Sequence, residues 1–379
     1  MASLFTSLYP HNIKAFYWKR IAIPDQALTL AEKLKQNGYY TFALQTNPTI
    51  KGIGFQQGFD LYYYKSHLQD KAIIDMFIEK AEQIKNKKFF AYMHFMNNHL
   101  PYKSSKKYVS KWEPDYQGDM KKYKITMGDI LDAANRGRTK DLEYDSNDLR
   151  FGTAQIPLAV KRHVTAVYDA ATSSFDDQFQ RLLDYLDQEG LLDKTIIILT
   201  ADHGEELWDH NGFEHGHSMY NELLHVPLIM LHPKIRGQEI RIKQIIRLID
   251  IFPTLMSFLG LSVPEHIFGK DMTAILSPGS RMLNIYAFSE GTSHGPRLKA
   301  LQSASYKVIM DPRISGLSFY ALDKNFKETK PLNENVHFDL FVQKMDEYIA
   351  KDVDFEIESE EANLDQQSIE EIRSLGYLQ

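Results

Sequence analysis

Strand-length apolar runs alternate with helix-length amphipathic stretches over the first two thirds of the chain. The apolar runs lie at 39–44, 89–96 and 195–200, and residues 71–86 and 155–189 carry apolar side chains at helical spacing. A strand that is buried on both faces is apolar throughout, and a helix that leads directly into the next strand is typical of a parallel crossover. This pattern predicts an α/β fold with a mostly parallel sheet sandwiched by helices.

The pattern changes from Leu283 onward to short apolar segments with close spacing. Such segments predict a small antiparallel sheet, followed by a helix over 335–349 and a last helix over 366–375. We therefore expect an α/β unit at residues 1–282 and a smaller C-terminal α+β unit at residues 283–379. We also expect the second unit to pack on the first rather than to be tethered loosely.

Polar side chains that could bind or react follow two of the predicted strands. Asp202 and His203 come directly after the strand at 195–200, His215 and His217 lie in the same loop, and His99 follows the strand at 89–96. Ligands collect at the carboxyl ends of strands in open α/β sheets, so these groups are placed for metal or anion chemistry. The alternative interpretation is a polar strand exit at Asp-His-Gly and a structural loop histidine at position 99.

The segment 103–152, which follows His99, is polar and irregular, with many Lys, Asp and Gly residues. Long connections without regular structure are often lids or other functional segments. We therefore predict an excursion over the protein surface beside the candidate site.

Composition narrows the possible functions. The chain has 379 residues, a formal net charge of -6 and 43% hydrophobic residues, which is typical of a globular protein. No basic stripe stands out, so nucleic acid is not an expected partner. The chain has no cysteine, which excludes disulfides and thiolate metal sites. No apolar run approaches the ~20 residues that span a bilayer; localisation and oligomeric state stay open.

Several motifs, taken together in their order and spacing, resemble the sulfatase family of the alkaline phosphatase superfamily. Each motif is weak alone, and the likeness covers nearly the whole chain. The motifs are ASLFTSLYPHN at 2–12, LAEKLKQNGYYT at 30–41, GFQQGFDLY at 54–62, NNHLPY at 97–102, TIIILTADHGEEL at 195–207, HGHSMYNELLHVPLI at 215–229, LIDIFPTLMSFLGL at 248–261 and RSLGYL at 373–378.

This resemblance implies an alkaline-phosphatase-like fold, one divalent cation and hydrolysis of sulfate monoesters through a covalent intermediate. The cation is usually Ca²⁺, with Mg²⁺ or Mn²⁺ as alternatives, and the implied substrate is a small-molecule or glycan sulfate ester. Position by position, Asp202 and His203 match metal ligands. His217 and His99 match the residues that hold the sulfate and help the leaving oxygen depart, and His215 is a further catalytic candidate.

The chain departs from the family pattern in two places. Asn47 lies where many relatives have a sulfate-binding lysine, and it is the candidate substrate contact of that loop. The family nucleophile lies in a Cys-or-Ser, any, Pro, any, Arg motif directly before the stretch that matches residues 2–12, so Met1 falls at the last position of the motif. We therefore expect the nucleophile and an upstream aspartate pair to be missing, residues 1–379 to be inactive alone, and an upstream-extended chain to be active if the reading frame there is intact.

Two other functions stay open. A phosphoester hydrolase or phospho-transfer enzyme of the same superfamily would need a second metal site with Asp-x-x-x-His on the long helix, and here Asp169 is followed at that spacing by Ser173. The missing nucleophile favours a non-catalytic protein that still binds an anion. The segment 262–266 matches the nucleophile motif only loosely, and we predict a surface turn there.

Overall fold

The computed structural model describes most of the chain in separate stretches. They are residues 1–14, 22–102, 104–115, 146–235, 237–276, 285–313, 316–333, 337–351 and 366–374.

The first unit alternates helices and strands. In chain order its elements are α1 (Ala2–Thr6), α2 (Leu30–Gln36), β1 (Tyr40–Gln45), β2 (Leu61–Tyr64), α3 (Asp70–Ile84), β3 (Phe89–Met93), α4 (Lys106–Trp112), α5 (Ser146–Arg150), α6 (Leu158–Gln188), β4 (Ile197–Thr200), β5 (Glu206–Leu207), β6 (Phe213–Glu214), α7 (Asn221–Leu224), β7 (Leu228–Leu231) and α8 (Ile251–Phe258). The C-terminal unit contains β8 (Ala287–Glu290), β9 (Lys299–Gln302), β10 (Tyr306–Asp311), β11 (Gly316–Leu322), β12 (Glu328–Pro331), α9 (Phe338–Ile349) and α10 (Gln366–Ser374).

The predicted parallel sheet of the first unit is confirmed. β1 pairs in parallel with β2 on one side and β3 on the other, with Phe42 opposite both Leu61 and Ala91. α3 and α6 cover one face through an apolar cluster that includes Phe77 and Leu182. α1, α2 and α8 supply the cluster on the other face. Helices therefore bury both faces, which explains why these strands are apolar throughout.

The strand at 197–200 differs from the prediction in its pairing. In the described chain β4 pairs antiparallel with β7, with Ile197 opposite Leu231, instead of joining a parallel ladder. The segment between β4 and β7 contains only short elements, the strands β5 and β6 and the one-turn helix α7, and no helix long enough to cross the sheet. A parallel return needs a crossover of a dozen or more residues, usually a helix across the sheet, so β7 instead runs in the opposite direction. Ile198 packs on the same cluster as Tyr92 of β3, which keeps β4 beside the parallel sheet.

Capping residues explain where the helices begin and end. α2 starts at Leu30 because the Thr29 hydroxyl accepts the Glu32 N–H and the Glu32 carboxylate accepts the Thr29 N–H. The long helix α6 stops just before Gly190, whose φ of 61° lies in the left-handed region.

The described ends of the segment 103–152 are more regular than the sequence predicted. α4 and α5 form there, whereas residues 116–145 lie outside the described chain. α4 packs along α6, where the Trp112 indole N–H donates to the Ser173 hydroxyl over 2.9 Å and the Tyr108 hydroxyl donates to Asp177 over 2.7 Å. Because polar contacts hold α4 in place, its sequence carries no apolar stripe at helical spacing. The sequence pattern therefore did not predict this helix.

The predicted C-terminal antiparallel sheet is confirmed, and it has one strand more than the pattern indicated. Its order is β12-β11-β10-β9-β8. The additional strand β12 is short and pairs irregularly with β11, so it carries no alternating apolar pattern. None of the described helices has the length and hydropathy of a membrane span.

The two units share an apolar cluster. Phe341 of α9 packs with Val308 of the C-terminal sheet, and Tyr9 and Ile249 of the first unit belong to the same cluster. Such shared burial is what tight packing between the units requires. The proposed boundary between residues 282 and 283 lies outside the described residues and stays a prediction.

A buried ion pair within the C-terminal unit also bonds to the first unit. Lys307 on β10 and Glu328 on β12 are both fully buried, with 2.6 Å between Nζ and Oε1. The Lys307 ammonium also donates to Oδ1 of Asn221 at the start of α7, over 2.9 Å. Removing one partner of a buried pair leaves the other charge without compensation, which is costly in a low-dielectric interior.

Lys307→Met is expected to lower the free energy of unfolding by about 3–5 kcal/mol, because the Glu328 carboxylate would stay buried without its cation. The double variant Lys307→Met/Glu328→Gln removes both charges and should regain part of that loss. Urea unfolding measures both changes. Lys344→Met breaks an exposed ion pair with Glu347 and is the control, expected to leave the midpoint unchanged. A double variant less stable than Lys307→Met would contradict this account.

Asp70 opens α3 with a buried carboxyl group. Burial raises its pKa to about 7, and neither carboxyl oxygen has a hydrogen-bond partner within the described structure. Because the folded pKa lies above the unfolded value, this group favours the folded state fully below pH ~4, and that contribution is lost as the pH rises toward ~7.

Asp70→Asn is therefore expected to stabilise the protein at pH 8 but not at pH 4, with a difference of up to roughly 4 kcal/mol at about 1.4 kcal/mol per pKa unit. Urea unfolding at the two pH values measures it. Asp75→Asn, at an exposed position of the same helix, is the control and should show no such gain at pH 8. Equal effects of Asp70→Asn at both pH values would mean that the carboxyl group titrates normally.

Candidate active site

The carboxyl ends of β1, β3 and β4 meet at one edge of the fold. Asn47 follows β1 and His94 follows β3, with 3.5 Å between Asn47 Nδ2 and His94 Nε2. Asp202 follows β4 close enough for its charge to act on His94. At Gly204 the chain turns so tightly against α7 that a Cβ atom would lie 1.9 Å from the Glu222 carbonyl oxygen, and only glycine fits there.

Three histidines from separate segments contact one another at this edge. The His203 and His215 rings stack with 4.2 Å between centroids, and the His99 ring meets His215 edge-on at 4.9 Å. His203 Nε2 lies 3.9 Å from Asp202 Oδ1. The structure therefore brings together four of the residues selected from the sequence, on the same edge as the sequence predicted.

Glu205 joins this cluster, although the sequence did not single it out. Its Oε1 accepts the Tyr102 hydroxyl over 2.5 Å, and its Oε2 lies 2.9 Å from His215 Nδ1. One ligand atom from each of His203, Glu205 and His215 lies within 4.8 Å of the others, an arrangement that can hold a metal ion. Glu205 directly follows Asp-His-Gly, and that position was the only indication in the sequence, although it is also typical of an ordinary polar strand exit.

His217 adjoins this cluster and has a different set of contacts. Its Nε2 lies 2.8 Å from Glu206 Oε2. Its Nδ1 is buried and has no hydrogen-bond partner within the described structure. The Glu206 side chain also accepts the Gly212 N–H over 2.7 Å, which fixes the carboxylate and thereby the imidazole.

The charges of the site act on one another strongly. Burial alone would raise the pKa of Asp202, but His203, His94 and the Met1 amino group hold it below its ordinary value. Burial would lower the pKa of His203, but Asp202 raises it above its ordinary value. A buried carboxylate surrounded by positive or polarisable groups stays ionised.

The two remaining imidazoles of the cluster are held neutral. Burial lowers the pKa of His99 to about 3, and His215 adds to that shift. Burial likewise lowers the pKa of His215. Neutral imidazoles offer one donor and one acceptor nitrogen each, which suits either a metal ion or an oxyanion.

Met1 also lies at this site. Its amino group is buried within range of the Asp202 charge, and its Sδ lies 3.9 Å from the Tyr92 hydroxyl oxygen. α1 therefore starts at the candidate site and packs Phe5 against the Tyr92 ring, with 5.0 Å between centroids.

A buried ion pair borders the site on the side of α5. Arg150 Nε lies 2.5 Å from Glu214 Oε2, and both side chains are almost inaccessible. Burial raises the pKa of Glu214 to about 7, against the opposing effect of Arg150. Neither residue belongs to a recognisable motif, so this ion pair could not be predicted from the sequence.

Two further sequence expectations can be located. Ser173, which stands where a second metal site would need histidine, accepts a hydrogen bond from Trp112 instead. Ser262 accepts a hydrogen bond from Lys33 Nζ over 3.0 Å, and both Ser262 and His266 are exposed, as in a surface turn.

Comparison with family models gives two matches. The model described as Sulfatase matches residues 1–261, and the model described as N-sulphoglucosamine sulphohydrolase, C-terminal, matches residues 209–354. The first match covers more than half of the chain.

The similar curated proteins include arylsulfatase K of Xenopus laevis and the N-acetylglucosamine-6-O-sulfatase of Bacteroides thetaiotaomicron. The chain is 31% identical to the former over 140 residues, which are 37% of this chain and 26% of that protein. It is 34% identical to the latter over 134 residues, or 35% of this chain and 24% of that protein. The matched segments thus span about a quarter of these relatives.

Solved structures share the fold at low sequence identity. BT4656 in complex with its substrate D-glucosamine-2-N,6-O-disulfate has a TM-score of 0.68 and 19% identity, covering 91% of this chain and 86% of that one. The phosphonate monoester hydrolase of Agrobacterium radiobacter also has a TM-score of 0.68, with 17% identity, covering 92% of this chain and 84% of that one.

Proposed function

Because the chain belongs to the sulfatase family, we propose that this site binds and hydrolyses sulfate monoesters. One observation carries the proposal: His99 and His203, which follow β3 and β4, both contact His215. A sulfate group has acceptor oxygens on every side and therefore needs donors or cations from several directions. The strand ends supply them from segments that lie far apart in the chain.

His99, His215 and His217 hold the sulfate in this proposal and assist the leaving oxygen. In neutral His99 the Nδ1–H donates to the Leu100 carbonyl over 2.6 Å and Nε2 carries no proton, so His99 can protonate the departing oxygen only after Nε2 has taken up a proton from solvent. The unpartnered Nδ1 of His217, when it carries a proton, would donate a hydrogen bond to a sulfate oxygen, which removes the cost of a buried unsatisfied group. Asn47, beside His94, is a further substrate contact.

Asp202 and His203 hold the divalent cation, which we propose to be Ca²⁺. The Nδ1–H of His203 donates to the Gly204 carbonyl over 2.8 Å, which leaves Nε2 available as a ligand atom. This donor pair fits a divalent cation but supplies only part of the ~6 to 8 oxygen ligands that calcium prefers, so Mg²⁺ and Mn²⁺ remain alternatives. When bound, the cation would neutralise charge on the ester.

Residues 1–379 supply binding and leaving-group chemistry in this proposal, but not the attacking group. The sequence contains no cysteine and no Cys-or-Ser, any, Pro, any, Arg motif. The substrate is a small-molecule or glycan sulfate ester, in keeping with relatives named for arylsulfatase and N-acetylglucosamine-6-O-sulfatase activity. A two-metal phosphoester hydrolase is the weaker candidate, because Ser173 bonds to Trp112.

Asp202→Asn is expected to weaken Ca²⁺ binding by at least about tenfold, because it removes the charged oxygen ligand. Isothermal titration calorimetry on residues 1–379 measures it, with thermal melts to confirm folding. Asp209→Asn, at an exposed carboxylate of the same loop, is the matched control and should leave the affinity unchanged, while Glu205→Gln should lower it less than Asp202→Asn does. The reverse order would assign the cation to the cluster of His203, Glu205 and His215 instead.

Residues 1–379 expressed alone are expected to show no turnover of 4-nitrophenyl sulfate, because loss of a nucleophile typically costs ~10⁶-fold in rate. A longer protein that carries the Cys-or-Ser, any, Pro, any, Arg motif before residue 1 should hydrolyse it, with 4-nitrophenyl phosphate as the poorer substrate. Metal-dependent turnover by residues 1–379 alone, abolished by Asp202→Ala, would place the attacking group within the chain.

A further inference from the structure

A loop of the C-terminal unit, residues 291–298 between β8 and β9, lies directly against the histidine loop. The backbone N–H groups of Ser293 and His294 both donate to the Gly216 carbonyl, over 2.7 and 2.8 Å. Gly216 separates His215 from His217, and a Cβ atom there would lie 3.3 Å from Ser293 Cβ. The C-terminal unit therefore borders the histidines that hold the sulfate in the proposed function.

Phe151 lies between this loop and the candidate site, and its ring is 45% exposed. The ring centroid is 5.9 Å from that of His217, with the rings edge to face. Its Cζ would lie 2.7 Å from a Cβ atom at Gly295, so the ring also contacts the loop. An exposed aromatic ring beside the proposed site offers an apolar face on which a ligand can pack.

The backbone on either side of Phe151 is held rigidly. Arg150 is fixed by its buried ion pair with Glu214. Gly152 has a φ of 73°, and a Cβ atom there would lie 2.8 Å from the Asn211 carbonyl oxygen. A ring held in place before binding loses little conformational entropy when a ligand packs on it.

Resting on the proposed function, we propose that Phe151, Ser293 and His294 bind the alcohol part of the sulfate ester, and that they select a saccharide ring. A saccharide has an apolar C–H face, which packs on an aromatic ring, and a rim of hydroxyl groups, which needs polar partners. The exposed Ser293 hydroxyl can donate and accept. Burial, together with the charge of Arg150, lowers the pKa of His294 to about 3. Its neutral imidazole can therefore accept a hydrogen bond from a saccharide hydroxyl group.

An aryl sulfate would use only part of this surface. Its planar ring can pack on Phe151, but it has no hydroxyl rim to engage Ser293 and His294. The polar pair is therefore the feature that separates a saccharide from an aryl leaving group.

Calorimetric titration of residues 1–379 with N-acetylglucosamine 6-sulfate, galactose 6-sulfate and 4-nitrophenyl sulfate tests the inference without requiring turnover. At least one saccharide sulfate should bind more tightly than the aryl sulfate. Phe151→Ala should weaken saccharide binding about tenfold, the size of an interfacial aromatic contact, and Phe151→Trp should retain it. Ser293→Ala/His294→Ala should weaken saccharide binding only. Leu340→Ala, on α9 with 41% exposure, is the control and should change neither affinity.

Equal saccharide binding by wild type and Phe151→Ala would overturn the inference, as would an aryl sulfate that binds at least as tightly as both saccharide sulfates. Failure of the proposed function has a different signature. In that case inorganic sulfate would not compete with either ester, and the upstream-extended protein would hydrolyse neither.

Discussion

The buried Glu205 carboxylate is the constraint on which the candidate site depends. It accepts the Tyr102 hydroxyl over 2.5 Å and pairs with His215 Nδ1 over 2.9 Å. Tyr102 belongs to the segment after His99, so one carboxylate fixes the loop that follows β3 against the loop that follows β4. Leaving a buried polar group unpaired costs about 1–3 kcal/mol, which favours keeping both loops in place. The contact among His99, His203 and His215 follows from this bridge.

The C-terminal unit completes the site. Lys307 and Glu328 hydrogen-bond to Asn221 at the start of α7. α7 in turn contacts the segment after β4, because the Leu223 carbonyl accepts the Gly204 N–H over 2.8 Å. The loop at 291–298 holds Gly216 from the other side. The histidine loop is thus fixed at both ends by the second unit, which gives that unit a physical route to influence what the first one binds.

The elements that could be predicted are those whose sequence pattern is local. Continuous apolar strands and the polar residues at the strand end before Asp202 are determined by their immediate surroundings. The pairing of β4 could not be predicted, because an apolar run indicates burial but not the partner strand. Phe151 and His294 belong to no motif, and only tertiary packing brings them to His217. The proximity of His99 to the loop of Asp202 and His203 could be predicted, because both follow strands, β3 and β4, whose carboxyl ends share one edge.

A crystal structure of the protein soaked with sulfate and Ca²⁺ tests the central claim most directly. The account predicts sulfate in contact with His99 and His215, with one oxygen within hydrogen-bond distance of His217 Nδ1, and the cation on Asp202 and His203. Sulfate bound elsewhere, with His99, His203 and His215 still packed together and Asp202 bearing no cation, would contradict it.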